Sequence, residues 1–319
     1  MGIGKTYLGN TGSVVYHDGS GNIKGATYAS ITTQGHLNLI DSNSVPSTPA
    51  SGSITIFAED YAGRVLPSAI GPSGVDYTIQ SSLYGNTTYM WLPGTGVTLA
   101  IAWGTSWNSR NVGTGAQSYP VKGATNSMTS LNRMNFSTGT TIASASGVQS
   151  TNTVAWMGNA AGLGGFLFFA RFGLESLGTG ATGSSYRAMV GLAANAVALA
   201  AEPSSLINSV MVGKDQLDVN WFVMTRNGTT GFNKINTGIA ITAAQILDVY
   251  IHSAPNSQSV KVYIRNGTTG ADLYVSPTPI TTNLPVNTVF LYAQTLIQSL
   301  LIAQPKIIAL NTMYVECDL

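Results

Sequence analysis

Apolar and polar positions alternate with a period of two along much of the chain, in short runs broken by Gly, Asn, Ser and Pro. Ser53-Ile54-Thr55-Ile56-Phe57-Ala58 alternates as a half-buried strand does, because successive strand side chains point to opposite faces. Val154 to Met157, Gly165 to Gly173, Tyr186 to Leu192, Val219 to Thr225, Leu247 to His252 and Val260 to Ile264 are further strands on the same grounds. Phe290 to Thr295 and Thr312 to Cys317 close the series. Tyr89 to Leu92 is a short aromatic strand ending at Pro93, and Tyr77 to Leu83 is a strand or a helical turn. Ala193 to Ala201 is the one stretch with helical character, stopped by Glu202-Pro203.

One local signal stands out. Arg226-Asn227-Gly228-Thr229-Thr230-Gly231 recurs as Arg265-Asn266-Gly267-Thr268-Thr269-Gly270, each after an alternating apolar run. Asn-Gly takes positive φ readily, so both hexads are expected to be tight hairpin turns. Strands at this spacing, without alternating βα units, predict an all-β chain. The expected order is small N-terminal β units followed by an antiparallel sandwich or jelly roll. Composition shifts place an N-terminal β anchoring segment at 1–50, a middle β unit at 51–125 and the sandwich at 126–319. The Ser- and Pro-bearing stretch 41–52 reads as a linker, and the polar, glycine-rich stretch 104–130 as the main boundary.

Composition sharpens this reading. Hydrophobic residues make up 44%, enough for a sizeable core, yet only 8% are charged and the net charge is +1. Disordered chains show the opposite balance. A surface of amides and hydroxyls has little charge repulsion to keep copies apart, which points to an assembly. Fourteen basic residues, scattered singly, argue against a nucleic-acid partner. No apolar run reaches the roughly 18–20 residues of a membrane-spanning helix. Met1 to Lys5 offers no apolar leader region, so no secretory signal is expected. Cys317, the single cysteine, has no partner for a disulfide within the chain.

Candidate chemistry is sparse. His17, His36 and His252 lack the short spacing of zinc ligands. Glu59-Asp60 would point to opposite faces of a strand, which suits a turn better than acid–base work. Asp215 and Asp218 read as a solvated turn, with a cation site as the alternative. Gly2-Ile3-Gly4-Lys5-Thr6 lacks the first glycine of a phosphate loop, and Gly162-Leu163-Gly164-Gly165 lacks the strand–turn–helix setting of a nucleotide site. No catalytic residue, metal or cofactor is expected, and the chain reads as a non-enzyme. Trp91, Trp103 and Trp107 cluster beside a polar loop; they read as core and interface packing, or as a contact for a glycan or a second subunit.

Three words support a resemblance. They are Gly165-Phe166-Leu167-Phe168-Phe169-Ala170-Arg171-Phe172-Gly173, then Arg187-Ala188-Met189-Val190-Gly191-Leu192, then Met313-Tyr314-Val315-Glu316-Cys317-Asp318-Leu319. With them the carboxy-terminal two thirds resembles the concanavalin-like sandwich modules of tailed-bacteriophage tail and fibre proteins. Gly52 to Ala58, Asp60 to Arg64, Gly71 to Gly74 and Leu83 to Asn86 are similar to a phage structural segment. The resemblance implies a virion location on tail or capsid exterior and homo-oligomers, often trimers, in contact with other virion proteins. It implies a tail-associated structural protein (fibre, fibre adaptor or baseplate-peripheral) for assembly or host attachment. Capsid decoration or a head fibre is the first alternative, and a module binding host surface glycan the second.

Overall fold

The computed structural model describes residues 13–17, 23–31, 37–39, 46–50, 53–70, 76–78, 86–93, 109–161, 163–177, 186–195 and 202–318. The chain divides into two compact units, 1–81 and 82–319. The first holds β1 (Ser13–His17), β2 (Ile23–Ile31), β3 (Leu37–Leu39), β4 (Thr55–Tyr61), β5 (Arg64–Ile70) and β6 (Asp76–Thr78) in two antiparallel three-stranded sheets, β1-β2-β3 and β4-β5-β6. The β4–β5 hairpin turns at Ala62-Gly63, both with positive φ, and the Asp60 carboxylate accepts the Gly63 N–H. Glu59 is buried and Asp60 exposed, so the adjacent acids part to opposite faces as strand geometry requires.

The second unit is the sandwich. Its strands are β7 (Asn86–Trp91), β8 (Ser109–Val112), β9 (Ala116–Ser118), β10 (Met134–Ser137), β11 (Ala145–Ser150), β12 (Phe166–Ser176), β13 (Tyr186–Ala193), β14 (Ser209–Lys214), β15 (Asn220–Arg226), β16 (Phe232–Ala240), β17 (Ile246–Ser253), β18 (Lys261–Asn266), β19 (Asp272–Val275), β20 (Tyr292–Ser299) and β21 (Ile307–Asp318). One sheet of eight strands runs β19-β18-β17-β12-β21-β10-β9, with β7 also on β21. The other, of seven, runs β16-β15-β14-β13-β20-β11-β8. The expected all-β antiparallel sandwich is therefore present. The strands within 86–118 belong to its sheets, and the division between units falls after Ser81, inside the stretch 51–125. Ala193 ends β13, and 196–201 lie outside the described residues. Of Tyr77 to Leu83, only Tyr77 and Thr78 are described, in β6.

Alternation explains the packing. β12 reads almost continuously apolar, yet Phe166, Phe168, Ala170, Phe172 and Leu174 enter the core while Leu167, Phe169 and Arg171 face away. Val190, Leu192, Val210, Val212 and Val223 meet them from the seven-stranded sheet. Phe172 sets its ring edge-on to Trp221 with centroids 5.4 Å apart, joining β12 to β15 across the core. A short helix, Ser127–Ser130, forms in the polar stretch and buries its one apolar residue, Met128. The Asn126 side chain accepts the Thr129 N–H at 2.9 Å while Thr129 Oγ1 accepts the Asn126 N–H at 3.0 Å.

Both hexads are hairpin turns, β15–β16 and β18–β19. Their conformation corrects the expectation: neither Asn-Gly pair has positive φ, and within the two hexads only Gly270 does. The asparagine side chains close the turns instead. Asn227 Oδ1 accepts the N–H groups of Thr229 and Gly231 at 2.9 and 3.0 Å, and Asn266 Oδ1 accepts those of Thr268 and Thr269 at 2.9 and 3.1 Å. These loops are longer than two residues, so the mirror-image turn is not needed.

Candidate functional site

The tryptophans separate by position. Trp91 is 1% exposed, on β7, with its ring 6.4 Å from that of Phe136 in the core. It offers no surface to a glycan or a second subunit; packing is its role. Trp103 and Trp107 lie outside the described residues. Trp221 is core. Trp156, which the sequence left inside an ordinary strand, is the described tryptophan that reaches the surface.

A single bridge sets its placement. Ala155 and Leu291 face each other in an antiparallel bridge, with Leu291 N–H donating to Ala155 O at 2.7 Å. Both belong to the core, as do Val154 and Met157, while Trp156 and Phe290 stay outside it. The two rings stack there with centroids 5.0 Å apart and planes 21° apart. Phe290 is 52% exposed, against a half-buried Trp156. One Phe290 face is thus covered by indole while the ring stays open to solvent on its other side.

Glycine chemistry holds this platform. Gly158, Gly164 and Gly165 have φ of 88°, 70° and 79°. A Cβ on Gly158 would sit 1.8 Å from the Leu163 carbonyl oxygen, and one on Gly164 would sit 2.4 Å from the Gly158 backbone. The loop therefore folds tightly back on itself, and the Gly165 N–H donates to Trp156 O at 3.0 Å. Gly164 and Gly165, from the run set aside as a nucleotide loop, return the chain to Trp156. A neighbouring loop braces it: Asn256 N–H donates to Met157 O at 3.0 Å.

Two other surfaces compete for attention. On the outer face of the eight-stranded sheet, Met90, Tyr314, Phe169, Tyr250, Tyr263 and Val275 stand in register across six strands. Tyr263, Leu167, Asp248 and Glu316 on this face are buried and Met90, Phe169, Tyr250 and Tyr314 half-buried, so none of these rings stands as open as Phe290. Ionic side chains gather instead around the β14–β15 turn. Buried Arg187 pairs with Asp215 at 2.9 Å and Glu202 at 2.6 Å, and Lys234 pairs with Asp218 at 2.6 Å. Asp218 Oδ2 also accepts the Asp215 N–H at 2.7 Å, so these acids are spent on ion pairs and a turn. Among the described residues no three His, Cys, Asp or Glu side chains gather as metal ligands.

Lys214 lies beside this network, its Nζ 3.8 Å from the centre of the Tyr186 ring and donating to Tyr186 O at 2.9 Å. Burial lowers its pKa to about 8, against opposing pulls from Asp218 and Asp215. The unfolded chain keeps this proton until about 10.5, so between the two values the unfolded state binds more protons. Stability is therefore expected to rise by about 2 kcal/mol from pH 8 to pH 10 on account of this group. Urea titrations across that range check it, and in Lys214→Met the contribution is absent. Tyr186, held protonated by burial, acts in the opposite sense only above its ordinary value of 10.0.

No protein-family model matches the chain, and no curated protein matches it in sequence. Solved structures match in fold. A protein of unknown function from Shewanella oneidensis MR-1 aligns at TM-score 0.51 with 10% identity, covering 76% of this chain and 90% of the other. Peanut lectin with a 9-residue peptide aligns at 0.48 and 8%, covering 73% and 97%. Arcelin-5, a lectin-like defence protein from Phaseolus vulgaris, aligns at 0.47 and 8%, covering 73% and 98%. With the observed sheet order, the Shewanella match supports an antiparallel β-sandwich as the architecture of this chain.

Proposed function

We propose that this chain is a glycan-recognition module whose contact is the Trp156–Phe290 platform. The observation that carries the reading is the Phe290 ring, backed by indole and open on its other side. Sugars present an apolar face of C–H bonds that stacks on such a ring, and an aromatic with few rotatable bonds loses little entropy on binding. Three glycines at positive φ, packed closely against neighbouring backbone, set the path of the loop before any ligand arrives, which lowers the cost of association. The loops 151–165 and 283–291 carry no ionisable side chain to act as acid or base, so the reading is of binding without turnover.

Polysaccharide retention in affinity electrophoresis tests it. Phe290→Ala and Trp156→Ala should each weaken binding at least tenfold, about 1.4 kcal/mol. Phe290→Ala should leave the unfolding midpoint unchanged, because an exposed ring contributes little to the core. Equal retention of native and variant proteins counts against the platform.

The setting we propose is the exterior of a tailed-phage particle, with the module serving attachment or assembly. Support comes from the resembling words, which form β12, β13 and β21, and from a chain only 8% charged, a composition suited to contact with other proteins. Antibody labelling of particles tests this: density on the tail favours a fibre or baseplate component, density on the head a decoration protein, and absence from particles removes the phage setting.

A further inference from the structure

We infer that the platform selects an uncharged sugar. This deepens the glycan-recognition reading above and rests on it. The sequence carries no charged residue or histidine between Arg133 and Arg171, between His252 and Lys261, or between Asp272 and Lys306. Those three stretches supply the loop bearing Trp156, the loop that braces it through Asn256, and the loop bearing Phe290. The ion pairs lie on other segments, at Arg133–Glu175, Arg171–Asp248, Arg187–Asp215 and Lys234–Asp218. Arg226 sits on the adjoining hexad turn, and its guanidinium is folded back onto the Thr229 carbonyl at 2.7 Å.

A uronate, sulfate or sialic acid needs a cation or a cluster of N–H donors when it leaves water. The platform's loops provide amides and hydroxyls instead: Asn152, Thr153, Asn159, Asn287 and Thr288 are exposed or half-buried on them. Such groups satisfy sugar hydroxyls, which both donate and accept. The aromatic face adds a preference of its own. The negative face of a π system attracts the weakly positive C–H edge of a pyranose and repels an anion brought over it. The ligand class is thus a neutral hexose or pentose unit offering a run of axial C–H bonds on one face.

The experiment is isothermal titration of the full chain with a neutral β-glucan, a galactan and a mannan, set against a polyuronate and a sulfated glycan, at 50 and 500 mM NaCl. The expected result is binding to at least one neutral polymer that changes less than twofold between the two salts, since no exposed charge pair is screened. Phe290→Ala should reduce it at least tenfold, and Asn287→Ala several-fold, with thermal midpoints as for the native protein. Binding confined to the acidic polymers, lost with Phe290 and falling tenfold in high salt, overturns the neutral selection while leaving glycan recognition standing. Absence of binding to every polymer, or binding indifferent to Phe290 and Trp156, overturns the platform itself.

Discussion

Phe172→Ala is expected to lower the unfolding free energy by about 3–5 kcal/mol, a loss from which the sandwich does not recover by local collapse. Phe172 is 1% exposed and lies on β12, the strand paired on both edges by β17 and β21. Its ring meets Trp221 of the opposite sheet edge-on. Truncation removes the transfer free energy of the ring and leaves a cavity between two sheets that hydrogen bonds hold in place. The aromatic contact adds about 0.5–1.5 kcal/mol beyond area. Urea denaturation followed by tryptophan fluorescence should show a lower midpoint with an unchanged slope, and a slope change would mean altered compactness. Phe290→Ala in the same assay should fall within about 0.5 kcal/mol of the native protein, because its ring is half in water.

Arg187→Ala should cost about 3–5 kcal/mol at neutral pH, the range for breaking a buried ion pair from one side. The side chain is 2% exposed and donates to Asp215 at 2.9 Å and Gln298 at 3.1 Å. Its contact with the exposed Glu202 contributes little, since water screens it. Without the guanidinium, buried Gln298 loses this donor and part-buried Asp215 is left with the Gln216 N–H. Asp215 adds a pH signature. Burial pushes its pKa up, but the Gln216 N–H and the Arg187 charge outweigh that and hold it below 3.8. Stability from this carboxylate is therefore present above about 3.8 and lost as pH falls through the lower folded value. The gap between native and variant should narrow in acid below that point. A gap that stays constant down to pH 2 would show that Arg187 acts by packing alone.

The sandwich strands were legible because alternation and turn chemistry agree. β12, β13 and β21 are apolar runs carrying β-branched or aromatic residues, and both hexads announce hairpins. What the sequence withheld is pairing between distant segments. Trp91 reads as packing or as a contact, and what decides for packing is that β7 docks on the far end of β21 and turns the ring inward. β8 and β9 lie in a stretch without clear period because they are short strands on opposite sheets, each completed by a longer neighbour. The reach of asparagine side chains into their own turns decides the hexad conformation, and dipeptide preference does not see it.

The recognition platform was the least visible part. Val154 to Met157 reads as an ordinary strand, and which way Trp156 turns depends on the bridge from Ala155 to Leu291, far along the chain. A weaker signal was present: a tryptophan followed by Gly158 and then Gly164-Gly165, where a loop must return on itself. Phe290, a large apolar residue after the turn-forming Pro285-Val286-Asn287-Thr288, was the other half of it.

A crystal structure of the full chain soaked with a bound neutral oligosaccharide would probe this account most directly. It should show a pyranose ring lying flat against Phe290, its hydroxyls engaged by amide and hydroxyl groups of the two flanking loops. A sugar seated elsewhere, with Phe290 bare, would contradict it.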